Sequence, residues 1–131
     1  MKIELEFLDL EDILSIHAEQ LERFGGMSGI RDSGLLDSAI AAPQASFGGE
    51  YLHQNEYEMA AAYAFHIAQN QPFFDGNKRT GVLSALVFLN LNGIRVHDPE
   101  RKLYEAMISI SERKMTKYDL AELLRNLTIQ L

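Results

Sequence analysis

The stretch EMAAAYAFHIAQNQPFFDGNKRTGVLSALVFLNLNG, residues 58–93, consists of two apolar segments separated by a short polar one. The first segment is rich in alanine and follows Asn55, which forms a typical helix-start pattern with Glu58. We predict a helix from there to about Asn70, because Pro72 lacks a backbone N–H and cannot continue it. The chain must therefore turn within the polar segment.

The second apolar segment predicts a helix that opens near Asn77–Thr80, runs to Asn92 and stops at Gly93. Its apolar side chains cover nearly the whole circumference of the helix: they are Val82, Leu83, Leu86, Val87, Phe88, Leu89 and Leu91. A helix that is apolar on all sides is expected in the middle of a domain. The polar segment would then lie at the mouth of a buried helix.

Helical periodicity continues on both sides of this central stretch. Further helices are predicted at about residues 10–24, within 30–43, at about 100–112 and at 117–127. Asp9 with Asp12, and Thr116 with Asp119, are acceptor side chains at the spacing of helix caps. The pattern favours helices over strands along most of the chain.

Two segments do not fit a helical pattern. Ile3, Leu5 and Phe7 alternate with charged residues and predict a short strand or an extended arm. Residues 45–54, ASFGGEYLHQ, are rich in turn formers and predict a loop or flap. We therefore expect an all-α fold with little strand, a single domain over residues 1–131.

The composition excludes several classes of function. The chain has no cysteine, so it contains no disulfide and no thiolate site, which fits a reducing cytosol. Its acidic N-terminal stretch is unlike a signal peptide, and no apolar run reaches the length of a membrane span, so we expect a cytoplasmic protein with no membrane partner. A net charge of −7 argues against direct nucleic-acid binding, which needs a basic face.

The charge is unevenly distributed along the chain. Residues 1–70 contain 3 basic and 12 acidic side chains, whereas residues 71–131 contain 9 basic and 7 acidic ones. The polar segment lies in the less acidic half. That half can accept a small anion such as a nucleotide phosphate.

The segment FDGNKRT, residues 74–80, combines side chains that suit phosphate chemistry. Free N–H groups at a helix start attract anions, and Gly76 lets the backbone approach a ligand closely. Lys78 and Arg79 add cationic donors, while Asp75 could hold the Mg²⁺ that accompanies phosphates. The same residues also suit an ordinary turn in which Asp75 caps the helix. Spacing alone leaves both interpretations open.

The segment QPFFDGNKRTG, residues 71–81, resembles the signature of the Fic/Doc family, H-x-F-x-[D/E]-[G/A]-N-[G/K]-R. The lysine after Asn77 is similar to the Doc branch, the death-on-curing toxins of toxin–antitoxin modules. Residues 22–49, ERFGGMSGIRDSGLLDSAIAAPQASFGG, and 86–93, LVFLNLNG, extend the resemblance to nearly the whole chain. It implies a small all-α fold built on a helix, the motif loop and a second helix.

The resemblance implies a role for each motif residue. Asp75 would coordinate Mg²⁺, and Gly76 and Asn77 with the surrounding backbone would line an anion hole. Lys78 and Arg79 would hold the phosphates of ATP or another nucleotide and assist transfer. The lysine side chain would also partly fill a space that AMP-transferring relatives keep open.

The resemblance further implies an activity and partners. Doc proteins transfer a phosphate from a nucleotide to a threonine of elongation factor Tu, which stops translation, whereas most Fic relatives transfer AMP to Ser, Thr or Tyr hydroxyls. The family also implies a Phd-type antitoxin supplied in trans. Phe73 would anchor the motif loop in the core, and for this residue an ordinary core-packing role is favoured.

The chain departs from the signature at Gln71, where the family has the histidine that takes the proton from the attacking hydroxyl. Gln has no usable basicity, and loss of a general base slows a reaction by about 10²–10⁴-fold. His66 begins a similar His-Ile pair, but it lies nine positions before Asp75 instead of four, so we interpret it as a packed helix histidine. Gln71 is either a natural change or an introduced one.

Three hypotheses remain. The first is a Doc-type toxin whose phosphoryl transfer is crippled by Gln71. The second is an AMP transferase, against which Lys78 argues. The third is a non-catalytic module that binds a nucleotide or a partner, which Gln71 favours.

Overall fold

The computed structural model describes residues 4–129, and within them the chain forms six α-helices. Their bounds are α1 Leu10–Phe24, α2 Ser33–Ala41, α3 Glu56–Asn70, α4 Asn77–Leu91, α5 Lys102–Ser111 and α6 Lys117–Asn126. The described strands form two antiparallel pairs of two residues each: β1 Ser46–Phe47 with β2 Glu50–Tyr51, and β3 Arg95–Val96 with β4 Thr128–Ile129. The predicted all-α class is confirmed, and the predicted flap is the β1–β2 hairpin.

Helix α3 is the centre of the core and packs against α2, α4, α5 and α6. Its residues from Ala60 to Ala64 have no accessible surface. Small side chains let α4 come very close, since a Cβ on Gly81 would lie 2.8 Å from the carbonyl oxygen of Ala64. The ends of these two tightly packed helices therefore hold the motif loop, residues 71–76, between them.

Helix α4 is less completely buried than its all-round apolar pattern predicted. Leu91 is 47% exposed, and Val82 and Leu86 are only half-buried. The fully buried positions of α4 are Thr80, Gly81, Ser84, Ala85, Phe88 and Leu89. Two helices can approach closely only where the side chains between them are small. For this reason the alanine-rich helix α3, and not α4 with its larger side chains, lies at the centre of the core.

The segment before α1 forms no regular strand over residues 4–9. It is tied to the core instead, because the amide of Leu8 donates to the Tyr63 hydroxyl at 2.8 Å and the Glu6 amide donates to Asn92 Oδ1 at 2.9 Å. Of the predicted alternatives, the arm is the closer description; Ile3 lies outside the described residues.

Local capping signals fixed the helix starts as expected. Asp9, Asn55 and Thr116 each accept a hydrogen bond from the backbone amide three residues later, and the boxes at Asp9 and Thr116 are reciprocal. None of the helices between residues 4 and 129 has the length and hydropathy that crossing a bilayer requires.

Candidate active site

The motif loop joins two helix ends through two left-handed residues. Gln71 ends α3 with φ 48° and ψ 56°, and its amide donates to the carbonyl of Ile67. Gly76 precedes α4 with φ 80°, a conformation that glycine adopts without strain. The side chain of Gln71 is exposed at the rim of the loop.

The first half of the loop is held by the connection between α1 and α2. The Arg31 guanidinium donates to the carbonyl of Asn70 at 2.8 Å and to that of Gln71 at 2.6 Å. The backbone amides of Arg31 and Asp32 both donate to the carbonyl of Pro72, at 2.7 and 3.1 Å. Arg31 therefore satisfies the carbonyls of Asn70, the last residue of α3, and of its C-cap Gln71, and so holds the left-handed turn there.

The second half of the loop rests on α1. The buried ring of His17 stacks on Phe73 with centroids 3.7 Å apart, and its Nε2 lies 2.8 Å from the carbonyl oxygen of Asp75. The Met27 amide donates to Asp75 Oδ2 at 2.6 Å. Phe73 is 1% exposed, which places the side chain in the anchoring position that was predicted.

Asn77 uses its side chain to brace the loop. Its Oδ1 accepts from the Phe73 amide at 3.0 Å, and its Nδ2 donates to the Phe73 carbonyl at 2.9 Å. The side-chain amide therefore closes a ring with the backbone, and the group that Asn77 leaves toward a ligand is its backbone N–H.

The N-terminus of α4 is open. No side chain caps it, whereas Asp9, Asp32, Asn55 and Thr116 cap α1, α2, α3 and α6, and Asp98 accepts from the first-turn amides of α5. The first backbone amide of α4 that forms a hydrogen bond is that of Thr80, which donates to the carbonyl of Gly76. Among the described residues, the amides of Gly76 to Arg79 have no protein acceptor.

A cavity of about 520 Å³ opens at this helix end. It brings together every motif residue predicted for the site: Gln71, Asp75, Gly76, Asn77, Lys78 and Arg79. The opposite wall comes from α5, through Tyr104, Met107 and Ser111, which sequence analysis did not identify. The volume is within the range of pockets that hold a small organic ligand.

The cationic side chains of the cavity are exposed. Neither Lys78 nor Arg79 forms an ion pair with any carboxylate in the described part of the chain. The Arg79 guanidinium lies 4.2 Å from the centre of the Phe24 ring, a cation–π contact that leaves its N–H donors available. Two positive charges and several free amides therefore meet at one helix end.

His66 lies outside this cavity, in agreement with its interpretation as a packed helix residue. Its Nε2 is 3.2 Å from Lys117 Nζ, and its ring meets the edge of Phe65. Burial, and secondarily the Lys117 ammonium and His53, lower the pKa of His66 to about 4. The imidazole is therefore neutral near pH 7 and accepts a hydrogen bond from Lys117.

Asp75 is the carboxylate of the motif loop that faces the cavity. No group of three or more His, Cys, Asp or Glu residues with metal-binding geometry occurs within residues 4–129. One carboxylate is nonetheless a suitable donor set for Mg²⁺, which usually keeps several waters and takes further ligands from substrate phosphates. With Oδ2 bonded to Met27, Asp75 Oδ1 is the oxygen left for such an ion.

A sequence profile described as the Fic/DOC family matches residues 7–89, which contain α1 to α3, the motif loop and most of α4. The chain belongs to the Fic/Doc family. It is 41% identical over 91 residues to the Toxin Doc of Mycolicibacterium smegmatis, covering 70% of this chain and 68% of that relative. It is 32% identical over 118 residues to the Protein kinase doc of Escherichia phage P1, covering 89% and 91%. Both relatives support its place in the Doc branch.

Proposed function

We propose that this Fic/Doc chain is a Doc-type toxin whose site binds a Mg²⁺–nucleotide, and whose family chemistry is phosphoryl transfer to a protein Ser or Thr hydroxyl. The open start of α4 carries the proposal. The amides of Gly76 to Arg79 find no acceptor within residues 4–129, and these four residues line a cavity of about 520 Å³ together with the Lys78 and Arg79 charges. The dipole of α4 adds positive potential at the same point.

The residues divide the work as follows. The Arg79 fork and the amides of Gly76 to Arg79 hold nucleotide phosphates, and Lys78 adds a point charge beside them. Asp75 Oδ1 would hold Mg²⁺, which would supply positive charge to offset that of the phosphates. Transfer of a phosphoryl group depends mostly on such positioning and charge stabilisation.

Gln71 cripples proton removal without removing the phosphate site. It lines the cavity where the family histidine would face the attacking hydroxyl, and its amide can orient that hydroxyl but not deprotonate it. His17 packs against the loop, where its Nε2 bonds the Asp75 carbonyl, and it does not line the cavity. We expect nucleotide binding with little turnover.

The acceptor that we propose is a hydroxyl of elongation factor Tu. AMP transfer is the second candidate, and Lys78 argues against it because Lys78 lines the cavity that AMP would need. The test is to incubate the Gln71→His protein with elongation factor Tu and ATP, and to identify the adduct by mass spectrometry. A phosphate adduct supports the first candidate, and an AMP adduct supports the second. If the protein binds the nucleotide but the target is not modified, a non-catalytic module is supported.

We further propose that a Phd-type antitoxin inhibits the chain in trans. Four exposed apolar residues lie in or beside the motif loop and suit a folding peptide: Phe24, Met27, Ile30 and Phe74. Many Fic relatives carry an internal inhibitory helix whose glutamate pairs with the motif arginine. The nearest counterpart by pattern in this chain is Glu19 of α1, which pairs with Arg23 and not with Arg79. Added antitoxin peptide should raise the melting temperature by mass action. The alternative is inhibition within the chain. It would be shown if expression of the Gln71→His protein left cell growth unchanged, while the Gln71→His protein that also carries Glu19→Ala arrested growth.

A further inference from the structure

His17 is a polar residue buried on the apolar face of an amphipathic helix. It is 5% exposed, and its ring lies flat on Phe73 with an angle of 8° between the ring planes. Stacking alone would be served as well by a phenylalanine. The imidazole differs from that ring by its Nε2, which lies 2.8 Å from the carbonyl oxygen of Asp75.

The direction of this hydrogen bond follows from its partners. A carbonyl oxygen can only accept, so Nε2 carries a hydrogen and donates it. The Gly76 backbone packs on the same ring, since a Cβ added there would lie 3.6 Å from Nε2. The ring therefore fixes both the position and the rotation of the Asp75–Gly76 peptide.

That rotation has a consequence for the phosphate site. In a trans peptide the C=O and the N–H point to opposite sides, and the described residues contain no cis bond. Because the Asp75 carbonyl points at α1, the Gly76 N–H points away from α1. Gly76 lines the cavity, and its amide has no protein acceptor among the described residues.

We propose that His17 is a positioning residue that turns the Asp75–Gly76 peptide so that the Gly76 amide faces a bound phosphate. The inference rests on the proposed function, because it assigns a role within the same nucleotide site. If the peptide flipped, a carbonyl oxygen would face the phosphates instead of an N–H. His17 thus turns the partly positive N–H end of this peptide toward the site and the partly negative C=O end away from it.

Two substitutions separate the hydrogen bond from the packing. His17→Phe keeps the stacking ring and removes the donor, whereas His17→Gln removes the ring and keeps an N–H donor near the place of Nε2. We expect the Phe variant to bind Mg²⁺–ATP about tenfold more weakly or worse, and the Gln variant to stay within about threefold of the unchanged chain. If His17 contributes only packing, the Phe variant will bind Mg²⁺–ATP more tightly than the Gln variant, and the proposal is wrong.

A measurement on the unchanged chain covers the case in which a variant does not fold. In a ¹⁵N-resolved NMR spectrum, the Nε2-bound proton of His17 should be observable and should persist when Mg²⁺–ATP is added, while the Gly76 amide shifts. Binding that leaves the Gly76 amide unmoved would overturn the positioning role alone. Failure of the unchanged chain to bind Mg²⁺–ATP would overturn both this role and the proposed function.

Discussion

The two helices that flank the motif loop begin in opposite ways. At the start of α3, Asn55 Oδ1 accepts the Glu58 amide at 2.9 Å, and Glu58 accepts the Gln54 amide in return. At the start of α4, no side chain takes that place, and the amides from Gly76 to Arg79 lack acceptors in the described part of the chain. The start of α3 is therefore capped by a side chain, whereas the start of α4 is not.

The largest expected effect concerns residue 71, where the family has a proton-accepting histidine and this chain has Gln. Gln71→His should raise the rate of phosphate transfer to elongation factor Tu by about 10²–10⁴-fold, because a general base is restored. Affinity for Mg²⁺–ATP should change little, since the phosphate donors do not include residue 71. Radiolabelled ATP measures the rate and calorimetry the affinity. Full activity in the Gln71 chain would refute the role of this position.

The second effect concerns the lysine at the open start. In the Gln71→His background, Lys78→Gly should lower phosphate transfer by about tenfold or more, because a charged donor to the phosphates is lost. Mass spectrometry shows whether an AMP adduct replaces the phosphate adduct. Lys114→Gly, at an exposed lysine that does not line the cavity, is the control and should leave the rate unchanged.

A smaller effect tests the histidine that lies on α3 away from the site. The pKa of His66 is lowered from 6.5 to about 4 in the folded chain, so between these values the unfolded chain binds a proton that the folded chain does not. Stability should therefore fall as the pH drops from about 6.5 to 4. The loss attributable to His66 should be about 1–2 kcal/mol after allowance for its partial exposure.

His66→Gln should reduce that acid destabilisation, because glutamine can still accept from Lys117 but does not titrate. Urea unfolding at pH 7 and at pH 4.5 measures it. His97→Gln, at an exposed position, is the matched control. An unchanged pH dependence in the His66 variant would show that its environment is not the one described.

The smallest expected effect comes from a change at the capped start of α3. Asn55→Ala removes the cap of α3 and should lower the free energy of unfolding by about 1 kcal/mol. It should leave Mg²⁺–ATP affinity unchanged, because Asn55 lies at the end of α3 opposite the motif loop. A loss of affinity with Asn55→Ala would contradict the separation between the two helix starts.

The features that could be predicted from sequence are those with local causes. Helix bounds followed from caps three residues apart, as at Asp9 and Thr116, and from Pro72. The motif residues proposed for the site were predicted from the family signature, and the structure places them around one cavity. The support of the loop could not be predicted, because Arg31 and His17 reach it from 39 to 58 residues away in sequence.

The remaining differences also have physical reasons. Tyr104 and Ser111 enter the cavity because α5 packs across it, and no spacing in the sequence announces that contact. The central place of α3 was not recognised, because alanine contributes little apolar area and is easily ranked below leucine. In this fold, small side chains allow the close approach on which the loop depends.

The most direct test of the open helix start is calorimetric titration with Mg²⁺–ATP of the unchanged chain and of Arg79→Ala. Arg23→Ala is the control, an exposed arginine of α1 that pairs with Glu19. We predict saturable binding by the unchanged chain, about 10–100-fold weaker binding by Arg79→Ala, and no change in the control. Equal affinity in all three proteins, or no binding by the unchanged chain, would contradict the assignment of a phosphate site to the start of α4.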